Sequence, residues 1–326
     1  MRTARSLIQT ILAACALCAG GAASASPDAG AQSTPPANGA EAVQPPPTDP
    51  WKDIAEGAVT LDGGAEKPEA TYRYRLIAPP AASVAEGATV PLVVFLHGAG
   101  ERGDDNRAQL KHFAGWCATA ALQEQHPCFV LAMQCPAGES WAWLDLKAYR
   151  EKGELPRRNA EPTRAMRALM TAIDDVLASK PIDRTRIYLT GLSMGGFGSF
   201  DLASRRPGLF AAVIPICGGG DPATAAAIAG MPFYIVHGSD DPVVPVELSR
   251  MMRDAIAAAA ADAFAGEKAR ARGTSDAPRP MPRRAPNPMY REYDKVGHDS
   301  WTPAYRFGDD GVLDWMFAQR RVADLK

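Results

Sequence analysis

Three residue types that together perform acyl transfer fall in order along this chain. The first is a serine in a glycine-flanked turn, Gly191-Leu192-Ser193-Met194-Gly195. A serine hydroxyl alone is a poor nucleophile; it needs a base to take its proton and a third group to orient that base. After Ser193 the chain offers two histidines, His237 and His298. His237 sits just inside an apolar run before Gly238, a position that suits packing. His298 lies in a loop-like stretch, YDKVGHDSW, after the last apolar segment. The run HGSDDPVVP places two candidate acids between serine and histidine, Asp240 and Asp241, which spacing alone does not separate. His97 precedes the serine and falls outside this order, so its expected part is to support a neighbouring loop by hydrogen bonding.

These groups must be held by particular elements. Ile187-Tyr188-Leu189-Thr190 reads as a buried strand, and the small-residue stretch after Ser193 reads as a helix. Strand, G-x-S-x-G, helix is the context of a nucleophile elbow, where the serine occupies a strained turn. Gly191, Gly195 and Gly196 supply the small neighbours such a turn needs. Further strands are predicted at 71–77 (the first, antiparallel), 91–96, 128–134, 210–216, 231–236 and 289–296. Helices are predicted at 109–123, 163–179, 246–261 and 312–320, a polar stretch at 145–162, and an Arg- and Pro-rich surface loop at 266–288. Strands alternating with helices imply βαβ units and a mostly parallel sheet flanked by helices, an α/β fold. Such sheets carry their sites at the strand C-termini, where the candidate residues fall.

Five segments, LHGAGERGDDN, FVLAMQCP, RIYLTGLSMGG, HGSDDPVVP and GHDSW, occur in that order and span nearly the whole predicted domain. In them the chain resembles secreted serine esterases of the α/β-hydrolase fold, the polyhydroxybutyrate depolymerase-like and feruloyl or acetylxylan esterases near the phospholipase/carboxylesterase group. The resemblance implies Ser193 as nucleophile, His298 as base and Asp241, the fifth position of HGxxD, as acid. It also implies an oxyanion hole from the N–H groups of Met194 and of Ala99, the residue after His97-Gly98. Expected substrates are short-acyl, feruloyl- or acetyl-sugar, or hydroxyalkanoate esters, small or polymeric. Trp143 and Trp301 are expected to wall the substrate site. Glu101, Arg102, Asp104 and Asp105 are expected to form an ion-pair cluster that holds the oxyanion loop. Two other functions share the features: a serine peptidase of the prolyl-oligopeptidase kind, and a non-catalytic binding protein on the same fold.

The remainder of the chain bounds these readings. A formal net charge of -2 over 326 residues points away from nucleic acid. Arg2 and Arg5 precede an apolar stretch that ends in Ala23-Ser24-Ala25, the pattern of a secretory signal over residues 1–25. A rival reading is a lipobox at Leu12-Ala13-Ala14-Cys15, with a lipid anchor on Cys15. Either implies export, to the periplasm or beyond it, or an outer-membrane lipoprotein. Residues 26–50 read as a Pro- and Ala-rich tether and 51–326 as the catalytic domain. No later segment is apolar enough to span a bilayer. Of Cys117, Cys128, Cys135 and Cys217, the best disulfide pair by loop length is Cys117–Cys128. No Cys/His spacing suggests a metal, and the chemistry requires no cofactor.

Overall fold

Continuous apolar runs at Val90–Leu96 and Phe129–Met133 form strands with every residue buried. Burial on both faces is the mark of a strand inside a helix-covered sheet. They sit in a computed structural model that describes residues 51–63, 68–143, 146–272, 288–308 and 311–321. These lie in one compact unit, Asp49–Lys326. The predicted signal segment, the tether, Cys15, and positions 273–287 of the predicted surface loop lie outside the described residues.

The strands, in chain order, are β1 (Ala55–Leu61), β2 (Ala70–Ile77), β3 (Val90–Leu96), β4 (Phe129–Met133), β5 (Ile182–Leu192), β6 (Ala212–Ile216), β7 (Tyr234–Gly238) and β8 (Met289–Tyr293). The helices are α1 (Phe113–Cys117), α2 (Ala120–Gln125), α3 (Leu146–Lys152), α4 (Arg164–Ser179), α5 (Met194–Arg205), α6 (Ala225–Ile228), α7 (Val246–Arg272), α8 (Trp301–Ala304) and α9 (Leu313–Ala318). The sheet order is β1-β2-β4-β3-β5-β6-β7-β8. β2 pairs antiparallel with β1 and β4, as read for the first predicted strand, and all pairs from β4 to β8 are parallel. This is the expected α/β-hydrolase architecture.

Side chains on a strand alternate between faces, so each central strand feeds two cores. Leu92, Val94 and Leu96 of β3 join α4, α5 and α7 on one face. Val93 and Phe95 join α1, α2 and α9 on the other. Each such buried side chain stabilises the fold by about 1.5–3 kcal/mol. α4 starts at its Thr163 cap, whose hydroxyl accepts from Met166 N–H at 3.1 Å.

Several elements differ from the reading of the sequence. The edge strand β1 and helix α3 were not expected. The expected helix 109–123 is broken: a 3-10 turn at Ala108–Leu110, then α1, then α2. The break falls at His112, whose φ of 60° cannot continue a right-handed helix. α7 runs eleven residues past the expected end, to Arg272, because its alanine-rich continuation has high helix propensity.

Candidate active site

β5 delivers Ser193 to the C-terminal edge of the sheet, between β3 and β6. Ser193 has φ 53° and ψ -116°, left-handed backbone for a residue with a Cβ. Such a conformation costs on the order of 1–3 kcal/mol and persists only where the surroundings determine it. Here Ser193 N–H donates to Ile216 O at 2.9 Å, with Cys217 Sγ at 3.3 Å, and Phe197 N–H donates to Ser193 O at 3.1 Å. The turn also needs bare glycine: a Cβ on Gly195 would lie 1.9 Å from the Leu96 carbonyl oxygen.

Opposite Ser193, the loop after β8 brings His298, whose Nε2 lies 3.0 Å from Ser193 Oγ. His298 Nδ1 lies 2.7 Å from Asp241 Oδ2, in the loop after β7. A carboxylate only accepts, so Nδ1 carries the hydrogen and Nε2 presents a lone pair to the serine hydroxyl. Asp241 Oδ1 accepts from Val243 N–H at 2.8 Å and Val244 N–H at 3.0 Å. Burial opposes charge on this carboxyl. The hydrogen bonds from His237, His298 and the two backbone N–H groups outweigh it and hold the group well below the usual carboxylate range. Asp240, the alternative acid, is exposed and accepts from Ser239 Oγ at 2.8 Å.

Met194 and Ala99 each open a helical turn, where N–H groups lack intrahelical partners. The Ala99 loop rests against β5: a Cβ on Gly98 would meet Leu192 Cδ1 at 2.8 Å. His97 braces this loop from beneath. Its Nε2 accepts from Cys135 N–H at 2.9 Å, which leaves the hydrogen on Nδ1 to donate to Gly98 O at 2.6 Å. Burial pushes this histidine down to about 4, so it is neutral. Trp141, fully buried, donates from Nε1 to His97 O at 3.1 Å.

The expected ion-pair cluster does not form. Arg102 Nε donates to Ala99 O at 3.0 Å, Asp105 Oδ1 accepts from the N–H groups of Arg107 and Ala108, and Glu101 lies 3.6 Å from His112 Nε2. Backbone groups of a tight loop outcompete the neighbouring side chains as partners. Gln134 ties the loop together, reaching Glu101 O, Asp105 Oδ1 and Asn106 N–H. The expected Cys117–Cys128 disulfide is absent as well; all four described cysteines are buried free thiols. Gln123 closes that loop instead, bonding Cys117 O, Cys128 O and Cys128 N–H.

A cavity of about 390 Å³ opens beside Ser193, walled by Trp143, Phe197, Val243, Val244 and Leu248. Trp143 thus faces the serine from the cavity rim. Trp301 lies elsewhere: it packs edge-on against His298 at 5.4 Å and against His112 at 5.5 Å, and lines a separate cleft of about 210 Å³. Cys217, Asp241 and His298 offer ligand atoms within 4.8 Å of one another. Asp241 and His298 are bonded to each other, however, and burial pushes the Cys217 thiol well up. This donor set suits a hydrogen-bond chain better than a cation.

One residue read as packing proves to touch the acid. His237, fully buried, places Nε2 3.2 Å from Asp241 Oδ2. The signal was present in HGSDD, where a histidine next to the end of a strand comes four residues before the aspartate. Gln134 had a signal too, a polar residue ending the all-apolar run of β4.

Residues 81–276 match the phospholipase/carboxylesterase family. The chain is 31% identical over 136 residues to poly(3-hydroxyalkanoate) depolymerase C of Paucimonas lemoignei, covering 40% of this chain and 28% of that protein. It is 26% identical over 248 residues to a protein of Nocardia uniformis subsp. tsuyamanensis provisionally called esterase NocK, covering 74% and 64%. A crystal structure of a thermostable esterase superposes with a TM-score of 0.63 at 35% identity, covering 82% of this chain and 63% of that one. The chain therefore spans less than two thirds of the length of each. Among the described residues, no helix is long and apolar enough to cross a membrane.

Proposed function

Because the chain belongs to the phospholipase/carboxylesterase family, we propose that it hydrolyses carboxylic esters through an acyl-enzyme on Ser193. The observation that carries this reading is the hydrogen-bonded chain from Ser193 Oγ to His298 (3.0 Å) to Asp241 (2.7 Å). Ser193 Oγ attacks the ester carbonyl carbon as its proton passes to His298 Nε2. Asp241 holds the Nδ1–H and stabilises the imidazolium. The oxyanion accepts from the Met194 and Ala99 N–H groups, each typically worth ~3 kcal/mol of barrier. His298 then protonates the departing alcohol, and water repeats the sequence to release the acid. Every step uses side chains and backbone of the chain itself.

The apolar wall of Trp143, Phe197, Val244 and Leu248 supports an ester with a short or aromatic acyl group: acetyl, feruloyl or hydroxyalkanoyl. The depolymerase relative favours including hydroxyalkanoate oligomers among the candidates. The basic and apolar pattern of residues 1–25 supports export, with lipidation at Cys15 as the alternative route. The test is turnover of p-nitrophenyl acetate, butyrate and octanoate, methyl ferulate, acetylated xylan and hydroxybutyrate oligomers beside Ser193→Ala. Hydrolysis that vanishes in the variant supports the reading; full turnover in the variant refutes it.

A further inference from the structure

Asp241 has two histidines, and the second is not explained by the reaction just described. His237 is the penultimate residue of β7, paired in register with Glu292 of β8. Its Nε2 faces Asp241 Oδ2 at 3.2 Å and Val244 O at 3.1 Å. Both oxygens can only accept, so Nε2 carries a hydrogen. Its Nδ1 lies 2.7 Å from Ser249 Oγ, which in turn lies 2.9 Å from Gly218 O. Gly218 follows Cys217 at the end of β6, where Ile216 O and Cys217 Sγ receive Ser193 N–H. The contacts therefore close a ring: Ser193, His298, Asp241, His237, Ser249, then β6 and back to Ser193. His237 and Ser249 are wholly buried.

Resting on the serine-hydrolase reading above, we infer that His237 is a positioning residue for the acid: its Nε2–H fixes Asp241 Oδ2 against His298, and Ser249 anchors His237 to Gly218, just past the end of β6 that accepts the Ser193 N–H. The carboxylate accepts hydrogen bonds from His298, Val243 N–H and Val244 N–H, while His237 Nε2–H, shared with Val244 O at 3.1 Å, lies against Oδ2 at 3.2 Å. Its lone pairs are committed, and it cannot swing away when the imidazolium forms. The charged groups facing His237 are Asp241 and Glu292, and Glu292 is itself held by Arg250. Removing the Nε2–H leaves Asp241 with one donor fewer. It then draws the His298 N–H more strongly, which moves the acid limb of the pH–rate profile.

The experiment compares His237→Leu, His237→Gln, His237→Asn and Ser249→Ala with wild type and Ser193→Ala in the full chain, reading kcat and KM for p-nitrophenyl acetate across pH. Removing the outer hydrogen-bond partner of a metal-binding side chain typically costs ~10–100-fold, and the same scale is expected for the outer partner of Asp241. His237→Leu is expected to lose that much kcat with little change in KM, and its acid limb moves. Ser249→Ala moves both in the same direction by less. His237→Gln, whose amide N–H reaches where Nε2–H sits, recovers most of kcat and returns the limb. Unchanged kcat and limb in folded His237→Leu overturn the inference, as do equal losses in Leu and Gln with an unmoved limb. If His237→Leu fails to fold, Asn against Gln decides: a shorter amide that works as well as Gln overturns it. Turnover surviving in Ser193→Ala refutes the serine reading instead, a result none of the His237 outcomes can mimic.

Discussion

Replacing Gly195 by alanine would place a Cβ 1.9 Å from Leu96 O, about 1.5 Å short of ordinary van der Waals contact at 3.4 Å. Neither partner has a loose end that could turn aside. Leu96 O is backbone of the central strand β3, and Gly195 is in the first turn of α5. The gap must open by moving the start of α5 away from the end of β3. Met194 N–H travels with α5, whereas Ala99 N–H belongs to the loop after β3, so the two proposed oxyanion donors separate. A misplacement of about 1 Å in a catalytic constellation can cost ~100-fold in rate. Forcing a methyl into a closed site costs ~1–3 kcal/mol of stability, several degrees of melting temperature in a domain of this size. The assay is kcat on p-nitrophenyl acetate, normalised to sites titrated with a fluorophosphonate, beside a thermal melt. Gly230→Ala is the control, because nothing lies within 4 Å of its added Cβ. A Gly195→Ala enzyme within about twofold of wild-type kcat, melting at the same temperature, would refute the argument that this close approach sets the site.

Asp241→Asn is expected to lower kcat ~10⁴-fold with the fold intact, as loss of the orienting carboxylate does in triad enzymes. Asp240→Asn, whose exposed carboxylate accepts from Ser239 Oγ, is expected to stay within a few-fold; the reverse pattern would move the acid to Asp240. Trp301→Ala removes the edge-on ring at 5.4 Å from His298; such a contact is worth ~0.5–1.5 kcal/mol, so kcat is expected to fall about two- to tenfold with KM unchanged. Trp143→Ala instead acts on the cavity wall, raising KM for methyl ferulate while sparing p-nitrophenyl acetate. Asp183 offers a stability test: burial opposes its charge, but hydrogen bonds from Thr185 and Arg186 outweigh it and lower its pKa to about 2. A folded pKa below the unfolded value of roughly 3.9 gives stability that is fully present above that value and lost as pH falls through about 2. The stability gap between wild type and Asp183→Asn in urea melts is expected to shrink from pH 5 to pH 2, and a gap that widens would reverse the sign.

The parallel strands were legible because they are buried on both faces: the seven residues of β3 and the five of β4 are uninterrupted apolar runs. Edge strand β1 was not, since AEGAVTL buries only Val59 fully and its pairing is supplied by β2. The serine and its histidine announced themselves through glycine spacing and chain order. What chain order could not convey was aim. Asp240 and Asp241 differ by one residue, and only the turn that gives Asp241 the N–H groups of Val243 and Val244 shows which one faces His298. His237 looked like packing for the same reason: a strand-end histidine reads as core until the loop four residues on folds back over it. The charged stretch after the Ala99 loop misled in the other direction, since charges adjacent in sequence went to backbone groups rather than to one another.

The central claim is that Ser193 is the nucleophile. It is tested most directly by reacting the folded protein with a fluorophosphonate and mapping the adduct by peptide mass spectrometry while ester turnover is followed. The account predicts one adduct, on Ser193, with turnover falling in proportion to labelling and neither label nor turnover in Ser193→Ala. Turnover that survives complete labelling of Ser193, or an adduct on another residue that tracks the loss, would contradict it.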